Sequence, residues 1–179
     1  MTSRSITGLA LAAALAVLAA PAAARAQSRR SSAPVESGSG IWLGGMFGLE
    51  AGEESGYQLR FDGEFPIARL VPNLQLSGVG SVSFAGLSHS VNVLEFVPAA
   101  RFTWLATPQV GGYGDVGLGL FHAWQHSASD TGATMRLGVG GFYQLNSATR
   151  LFAELGLHPH FGDYNDTTFT MLFGARFRI

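Results

Sequence analysis

Residues 168–179 alternate between two kinds of side chain along their whole length. One parity is apolar throughout and consists of Phe169, Met171, Phe173, Ala175, Phe177 and Ile179. The other parity is mostly small or polar and ends in Arg176 and Arg178. Because successive side chains of a strand point to opposite faces, the stretch predicts a β-strand with one nearly pure apolar face. A soluble barrel would turn that face inward, whereas a membrane barrel would turn it toward lipid.

The same alternation recurs in seven earlier segments that are separated by turn residues. The eight predicted strands are residues 41–51, 57–65, 74–84, 91–104, 110–124, 134–145, 150–158 and 168–179. Strands of this length with short connections predict an all-β fold, an eight-stranded antiparallel up-and-down transmembrane β-barrel. Pro98 lies inside the fourth segment, and we expect a β-bulge there because proline cannot donate to the ladder.

The connections fall into two sets. Predicted turns at 67–73, 106–108 and 146–149 share one end of the barrel with the start and finish of the chain, so they would face the periplasm. Predicted loops at 52–56, 85–90, 125–132 and 159–167 would face outside. Both sets are short, which argues against a large adhesive surface.

The polar parity favours a closed interior over a lipocalin-like exterior. It is rich in serine, threonine, glutamine and glycine, and only 13% of the whole chain is charged, which is little for a solvated outer surface. Its acids and arginines nearly balance, as enclosed charges must. We therefore predict a lumen plugged by side chains and held by an ion-pair network. Its predicted members are Arg60, Asp62, Glu64, Glu95, Arg101, Asp115, Arg136, Arg150, Glu154, Arg176 and Arg178.

Spacing suggests some partners within this network. A turn centred near residues 106–108 would place Arg101 diagonal to Asp115, and one near residues 146–148 would place Glu154 opposite Gly140, near Arg136 or Arg176. Lumen-facing glycines would leave room for the long arginines and for the rings of Trp42, Tyr113 and Phe142. The role predicted for the network is structural.

The N-terminal residues predict export. Residues 1–26 contain Arg4, an apolar run from Ile6 to Ala20, and the small residues Ala24 and Ala26 before a predicted cleavage point, which is typical of a signal peptide. The run is short for an uncleaved membrane anchor. Residues 27–40 predict a flexible periplasmic leader, and residues 41–179 predict the outer-membrane barrel domain.

The net charge and the lack of cysteine limit the kinds of partner and cofactor that we expect. The formal net charge of −1 provides no basic surface, so we expect no nucleic-acid partner. The chain has no cysteine, which excludes disulfides, thiol catalysis and cysteine-ligated metal sites, and we expect no cofactor.

The combination of a cleavable signal, eight alternating strands and an aromatic-bearing last strand resembles the small bacterial outer-membrane β-barrels of the OmpA transmembrane-domain and OmpX type. The resemblance implies a monomer in contact with outer-membrane lipid and lipopolysaccharide. It also implies insertion by the barrel-assembly machinery, with Phe173, Phe177 and Ile179 as the insertion signal. In this family the last residue is usually aromatic, whereas this chain ends in isoleucine.

The polar residues of the predicted outer end offer the candidate chemistry. Here lie all five histidines (His89, His122, His126, His158 and His160) and the acids Glu50, Glu53, Glu54, Asp130, Asp163 and Asp166. His158 and His160 share a face that could offer two nitrogens to a metal, but rims accept polar residues of any kind, and we predict no metal site. The acids could hold divalent cations that bridge lipopolysaccharide phosphates, although solvated loop carboxylates are the simpler interpretation.

Some small outer-membrane barrels are lipid A-modifying enzymes that use a histidine, a serine and an acid near the outer rim. His122 with Ser127 or Ser129 is the arrangement to consider, and no flanking motif supports it. We therefore predict a structural or surface-interaction role without catalytic residues. The alternatives are a lipid A-modifying enzyme, a narrow pore and a soluble lipocalin-like periplasmic binder.

Overall fold

The computed structural model describes residues 40–126 and 128–179. The predicted signal peptide, residues 27–39 of the predicted leader, and Ser127 lie outside the described residues. In the part of the chain that is described, no helix has the length and apolar character needed to cross a membrane.

Eight strands form a closed antiparallel ring in which each strand pairs with its neighbours in sequence and β1 pairs with β8. Their bounds are β1 Trp42–Ala51, β2 Ser55–Val71, β3 Leu74–Leu87, β4 Asn92–Leu105, β5 Val110–Gln125, β6 Ala128–Asn146, β7 Thr149–Phe161 and β8 Thr167–Arg178. A 3₁₀ turn, Ser88–Ser90, precedes β4. The predicted eight-stranded up-and-down barrel is confirmed.

Exposure of the side chains confirms the predicted polarity of the two faces. Leu118, Phe173 and Phe177 on the outer wall are 69%, 54% and 55% exposed, whereas Arg101 and Glu154 inside are 0% and 2% exposed. Burying charges while exposing large apolar side chains is unfavourable in water but favourable in lipid. The wall is therefore that of a membrane-spanning barrel, and the lipocalin-like alternative, which would place the apolar face inside, is wrong.

The two ends of the barrel differ in their connections. Turns 72–73, 106–109 and 147–148 share one end with the start of β1 and the finish of β8, and we call this the terminal end. Segments 52–54, 88–91, 126–127 and 162–166 share the other end, which we call the loop end. The two sets are the ones that the sequence predicts, but every segment except 106–109 is as short as predicted or shorter because the strands continue past their predicted ends.

Strand β2 shows why the predicted ends are wrong. It continues from Ser55 to Val71, although residues 67–73 were expected to turn. The pairing with β1 ends at Glu64, so Pro66 lies beyond the β1–β2 ladder and costs that ladder no hydrogen bond. Register shifts between Pro66 and Ala68 and between Arg69 and Val71 accommodate the irregular stretch.

The bulge expected at Pro98 is also wrong. Pro98 pairs with Gly80 of β3, and the register between β4 and β5 is the same on both sides of it, from Phe96–Leu120 to Ala99–Gly117. Leu94 and Phe102 consequently remain on the same outer face. The missing N–H of a proline interrupts the ladder locally without shifting it.

Candidate functional site in the barrel lumen

A row of paired residues across β8, β1 and β2, where the ring closes, shows how the lumen is built. Arg176 of β8, Gly44 of β1 and Asp62 of β2 are paired side by side. A Cβ on Gly44 would lie 2.3 Å from Cγ of Arg176, so the glycine leaves the space through which the arginine passes. Nε and Nη2 of Arg176 donate to the two oxygens of Asp62 at 2.7 and 2.5 Å. The glycine thus permits an ion pair between strands that are not neighbours.

A second row repeats this arrangement on the opposite side. Tyr113 of β5, Gly140 of β6 and Glu154 of β7 are paired side by side, and the tyrosine hydroxyl donates to Oε2 of Glu154 at 2.7 Å across the glycine. Arg60 of β2 reaches the same carboxylate from across the lumen, with Nη1 and Nη2 donating to its two oxygens at 2.6 and 2.7 Å. Glu154 therefore receives a two-pronged charged contact and a phenolic hydrogen bond.

Arg101 joins the two sides. Its Nη2 lies 2.5 Å from Oδ2 of Asp115 and 3.6 Å from Oε2 of Glu154, and its Nη1 donates to Oε2 of Glu64 at 3.1 Å. Arg176 reaches the same oxygen of Glu64 at 3.2 Å. Arg136 lies 3.6 Å from Asp115. Together with the ion pairs of Arg60 and Asp62, these contacts join four arginines and four acids into one layer, which we call the central network.

The central network is electrically balanced and almost inaccessible to solvent. It contains four arginines and four carboxylates, and its members are 0–6% exposed. Since an unpaired charge at such a site would be strongly destabilising, the balance is what permits the burial. The network members are Arg60, Asp62, Glu64, Arg101, Asp115, Arg136, Glu154 and Arg176.

The structure corrects two details of the predicted pairing. Asp115 is the direct register partner of Arg101 and not its diagonal neighbour. Glu154 lies opposite Gly140 as predicted, but its ion-pair partners are Arg60 and Arg101, and neither Arg136 nor Arg176 is within ion-pair distance among the described residues. Side-chain length and strand stagger decide these contacts, and neither is visible in the alternation of residues.

Three of the eleven predicted members lie outside the central network. Glu95 belongs to a separate cluster nearer the loop end. Arg150 and Arg178 lie at the terminal end and form no ion pair within the described part of the chain. The guanidinium of Arg150 instead stacks 4.0 Å from the ring centre of Trp42 and 4.9 Å from that of Phe142, and its Nε donates to Oε1 of Gln144 at 2.6 Å.

Glu95 is the centre of a buried polar cluster. Ser83 Oγ donates to its Oε2 at 2.6 Å, and His158 Nδ1 and His160 Nε2 lie 3.3 and 2.8 Å from its two oxygens. The two histidines therefore share a face as predicted, but each directs a nitrogen at the same carboxylate. Within residues 40–126 and 128–179, no group of three acidic or histidine side chains is arranged to hold a metal ion.

The loop end of the lumen leaves several buried polar atoms without a partner in the described protein. They are Glu50 Oε2, Gln58 Oε1, His158 Nε2, His160 Nδ1, Thr168 Oγ1, Thr170 Oγ1 and Tyr164 Oη. Gly156 faces this region, where an added Cβ would lie 2.6 Å from Thr170 Oγ1 and 3.1 Å from His158 Nε2. Buried polar atoms of this kind are usually satisfied by ordered water.

The opposite side of the loop end is apolar. A compact group of side chains from β3, β4, β5 and segment 88–91 faces the lumen there, and Tyr164 of the last loop packs against it. The ring of Phe121 in this group lies edge-on to His160, with ring centres 4.9 Å apart. The apolar group consists of Ala85, Leu87, Val91, Val93, Phe121 and Ala123.

Two acids of the loop end, Asp166 and Asp130, hydrogen-bond to the backbone of other segments at this end. Asp166 accepts hydrogen bonds from the backbone N–H of Glu53 and of Thr167, and Asp130 accepts one from the backbone N–H of Tyr164. Glu50, predicted at the rim, is instead buried in the lumen at 3% exposure. The carboxylates of Asp166 and Asp130 are thus engaged by the protein itself, which is not the arrangement expected of a cation-binding rim.

Two segments of the loop end, 52–54 and 88–91, contact each other through the side chain of Glu54. Ser88 Oγ donates to Oε2 of Glu54, and Nδ1 of His89 lies 2.8 Å from the same oxygen. The hydrogen bonds from Ser88 and His89 lower the pKa of Glu54 below its ordinary 4.5. The hydrogen bond and then the charge of Glu54 raise the pKa of His89 above its ordinary 6.5.

The outer wall carries the histidine that was considered for catalysis. Nδ1 of His122 lies 2.8 Å from Oγ1 of Thr131, and its ring stacks on Trp124. Ser129 is the register partner of Trp124, which lies two residues from His122 along β5, and Ser127 lies outside the described residues. No acid contacts His122 among the described residues. The arrangement of His122, Ser129 and an acid that was considered for catalysis is therefore not formed in the described part of the chain.

Sequence reasoning overlooked two groups in the lumen. Tyr113 was placed on the lumen face for its size, whereas its hydroxyl is a direct partner of Glu154. Ser81 accepts a hydrogen bond from Nη1 of Arg136 at 2.5 Å and donates one to the carbonyl of Val97 at 2.9 Å. Their inward parity was the available signal, but parity does not show how far along the lumen a long side chain reaches.

Comparison with known proteins supports the fold. No family model and no curated protein sequence matches the chain. Neisserial surface protein A is a similar solved structure, 12% identical with a TM-score of 0.62, and the match covers 78% of this chain and 96% of that one. The Ail protein of Yersinia pestis is 15% identical with a TM-score of 0.54, over 78% of this chain and 97% of that one. The outer-membrane enzyme PagL is 12% identical with a TM-score of 0.54, over 77% of this chain and 99% of that one. The chain has the fold of the small eight-stranded outer-membrane β-barrels.

Proposed function

We propose that the protein is an integral outer-membrane barrel with a structural or surface-interaction role and a lumen plugged by side chains. The inversion of polarity carries this proposal, because large apolar side chains cover the wall while balanced charges with 0–6% exposure fill the middle. A filled charged layer opposes the passage of solutes. The longest loop-end segment has only five residues, 162–166, so the protein presents a small surface. Because His122 contacts Thr131 and Trp124, with no acid against it among the described residues, the proposal assigns no catalytic role.

Cell fractionation combined with gel mobility tests this role. The protein should be recovered with the outer membrane, resist carbonate extraction, and migrate differently before and after boiling. The purified barrel should give no conductance steps in planar lipid bilayers. Release by carbonate would contradict membrane integration, whereas steady conductance would contradict the plugged lumen and favour the narrow pore.

We also propose that the outer face of the last strand is the insertion signal for the barrel-assembly machinery. Phe173 and Phe177 lie on the lipid-facing wall of β8, and Ile179 follows it, so their side chains are available to a partner before insertion. Phe177→Ala should lower the amount of folded barrel in cells several-fold, yet leave refolding of the purified chain in detergent nearly unchanged. Leu157→Ala on the outer wall of β7 is the matched control. Equal losses from both variants would contradict a signal confined to β8.

A further inference from the structure

The terminal end of the lumen has a polar depression that the proposed role does not use. Its empty space is about 330 Å³, including open solvent, and turn 72–73 forms part of its rim. The polar residues of its lining are Glu64, Arg69, Asn73, Gln75, Thr103 and Arg150. The central network closes its floor, because Glu64 belongs to that network.

Arg150 is held in a fixed position at this depression. Its guanidinium lies 4.0 Å from the ring centre of Trp42 and 4.9 Å from that of Phe142, while Nε donates to Gln144 at 2.6 Å. Among the described residues, Nη1 and Nη2 have no hydrogen-bond acceptor. Stacking of the planar faces leaves the edge of the guanidinium with its paired N–H groups for a further partner.

The charge of Arg150 is not neutralised by a neighbouring acid. Glu64 lines the same depression, but its Oε2 already receives hydrogen bonds from Arg101 and Arg176 at 3.1 and 3.2 Å. Arg150 forms no ion pair with it in the part of the chain that the structure describes. Since the central network is balanced without Arg150, this side chain adds a positive charge to the depression, whose lining also contains Arg69.

We propose that the depression binds a carboxylate group, with the guanidinium of Arg150 as its anchor. A planar carboxylate can accept two parallel N–H bonds from the edge of a guanidinium, and the hydroxyl of Thr103 and the amide of Gln75 are further polar groups in the lining. Because only a small part of the depression is enclosed, it would receive the carboxylate end of a ligand and not the whole molecule. The carboxylate is that of a free small acid or of a chain end in the compartment that the terminal end faces. This site goes beyond the proposed function, because neither membrane packing nor display of the loops requires a ligand.

Titration of the folded barrel in detergent with succinate tests the anchor. Binding to the unaltered protein should be saturable, and Arg150→Gln should weaken it by about tenfold or more through loss of the charged hydrogen bonds. Arg178→Gln is the matched control, because Arg178 is also a partly buried arginine of the terminal end but does not line the depression. It should change the affinity by less than about twofold, because an arginine outside the lining makes no hydrogen bond to the ligand.

Two results of this titration would contradict the proposed site. Equal weakening by Arg150→Gln and Arg178→Gln would indicate a diffuse basic surface. Heat-modifiable gel mobility establishes that each variant is folded, and if Arg150→Gln does not fold, Arg150→Lys replaces it. Lysine keeps the charge without the planar pair of donors, so it should also weaken binding. Unchanged affinity in the folded Arg150 variant would contradict the proposal.

A short peptide with a free C-terminal carboxylate distinguishes the two sources. Tighter binding of the peptide than of succinate would assign the site to chain ends, and equal binding would assign it to small acids. The same peptide with an amidated C-terminus should not bind. Undiminished binding of the amidated peptide, or no saturable binding of either carboxylate, would overturn the proposal.

Discussion

Single glycines decide which charged side chains meet in the lumen. Gly44 and Gly140 each stand between two partners in a row of paired residues, and each lets a long side chain cross a strand. Arg176 thereby reaches Asp62, and Tyr113 reaches Glu154. The specificity of the central network therefore depends on residues that carry no charge.

Replacing Gly44 tests this dependence. An added Cβ would lie 2.3 Å from Cγ of Arg176 and 2.6 Å from the carbonyl oxygen of Ala175, so the arginine and the backbone would both have to move. Gly44→Ala should destabilise the barrel by about 1–3 kcal/mol, the usual effect of overpacking. Gly80→Ala is the control, because an added Cβ there meets nothing within 4 Å. Equal unfolding midpoints for the two variants in a urea titration would contradict this account.

Glu154 is the residue whose charge we expect to matter most. Glu154→Gln would leave Arg60 without its two-oxygen partner and would remove one of the three carboxylates around Arg101. Removing one member of a buried ion pair typically costs about 3–5 kcal/mol, so the thermal unfolding temperature in detergent should fall clearly. Glu53→Gln, in an exposed loop segment, should leave it unchanged. An unaltered unfolding temperature for Glu154→Gln would count against a stabilising network.

At the scale of elements, the strands and their faces could be predicted from the sequence, but their ends and cross-lumen partners could not. Alternation fixes which side chains of β8 point outward because its period equals that of a strand. It does not show that the ladder between β1 and β2 ends at Glu64 while β2 itself continues, which is why the stretch after Pro66 was expected to turn. It also does not give the distance between Arg60 and Glu154, which meet across the lumen although 94 positions separate them.

The loop end provides an element-scale test of pH dependence. Below the ordinary pKa of 6.5, His89 contributes its full share to the contact between segments 52–54 and 88–91, and that share is lost as the pH rises through its raised pKa. Glu54 contributes above its ordinary pKa of 4.5, and its share is lost as the pH falls through its lowered pKa. The contact should therefore be complete between about pH 4.5 and 6.5.

Nuclear magnetic resonance titration of the histidine rings measures this contact. The midpoint for His89 should lie above 6.5, and Glu54→Gln should return it toward that ordinary value because both the hydrogen bond and the charge are weakened. Added salt should lower the midpoint in the unaltered protein, since the pair is exposed. The same midpoint in both proteins would show that the two loops do not interact in solution.

The polarity of the whole molecule is the reverse of that of a soluble protein, with large apolar side chains outside and charged side chains inside. Leu118 lies midway along β5 on the outer wall. Leu118→Arg should therefore destabilise the barrel in a lipid bilayer by about 2–4 kcal/mol. Ala51→Arg, on the same wall but at the loop end of β1, should cost only about 0–1 kcal/mol, because its side chain reaches the interface. Equal costs for both substitutions would contradict the proposed position of the wall in lipid.

The reach of Arg176 over Gly44 also bears on how the ring can open. The last strand is joined to the first by its backbone ladder, but the charge of that arginine is neutralised by Asp62 and Glu64 of the second strand. Parting β8 from β1 would therefore separate the guanidinium of Arg176 from both of its acidic partners within the membrane. In an insertion intermediate in which β8 and β1 are apart, water or another protein has to solvate those groups until the two strands pair. Local opening of the mature barrel should therefore begin at a pair of strands other than β8 and β1.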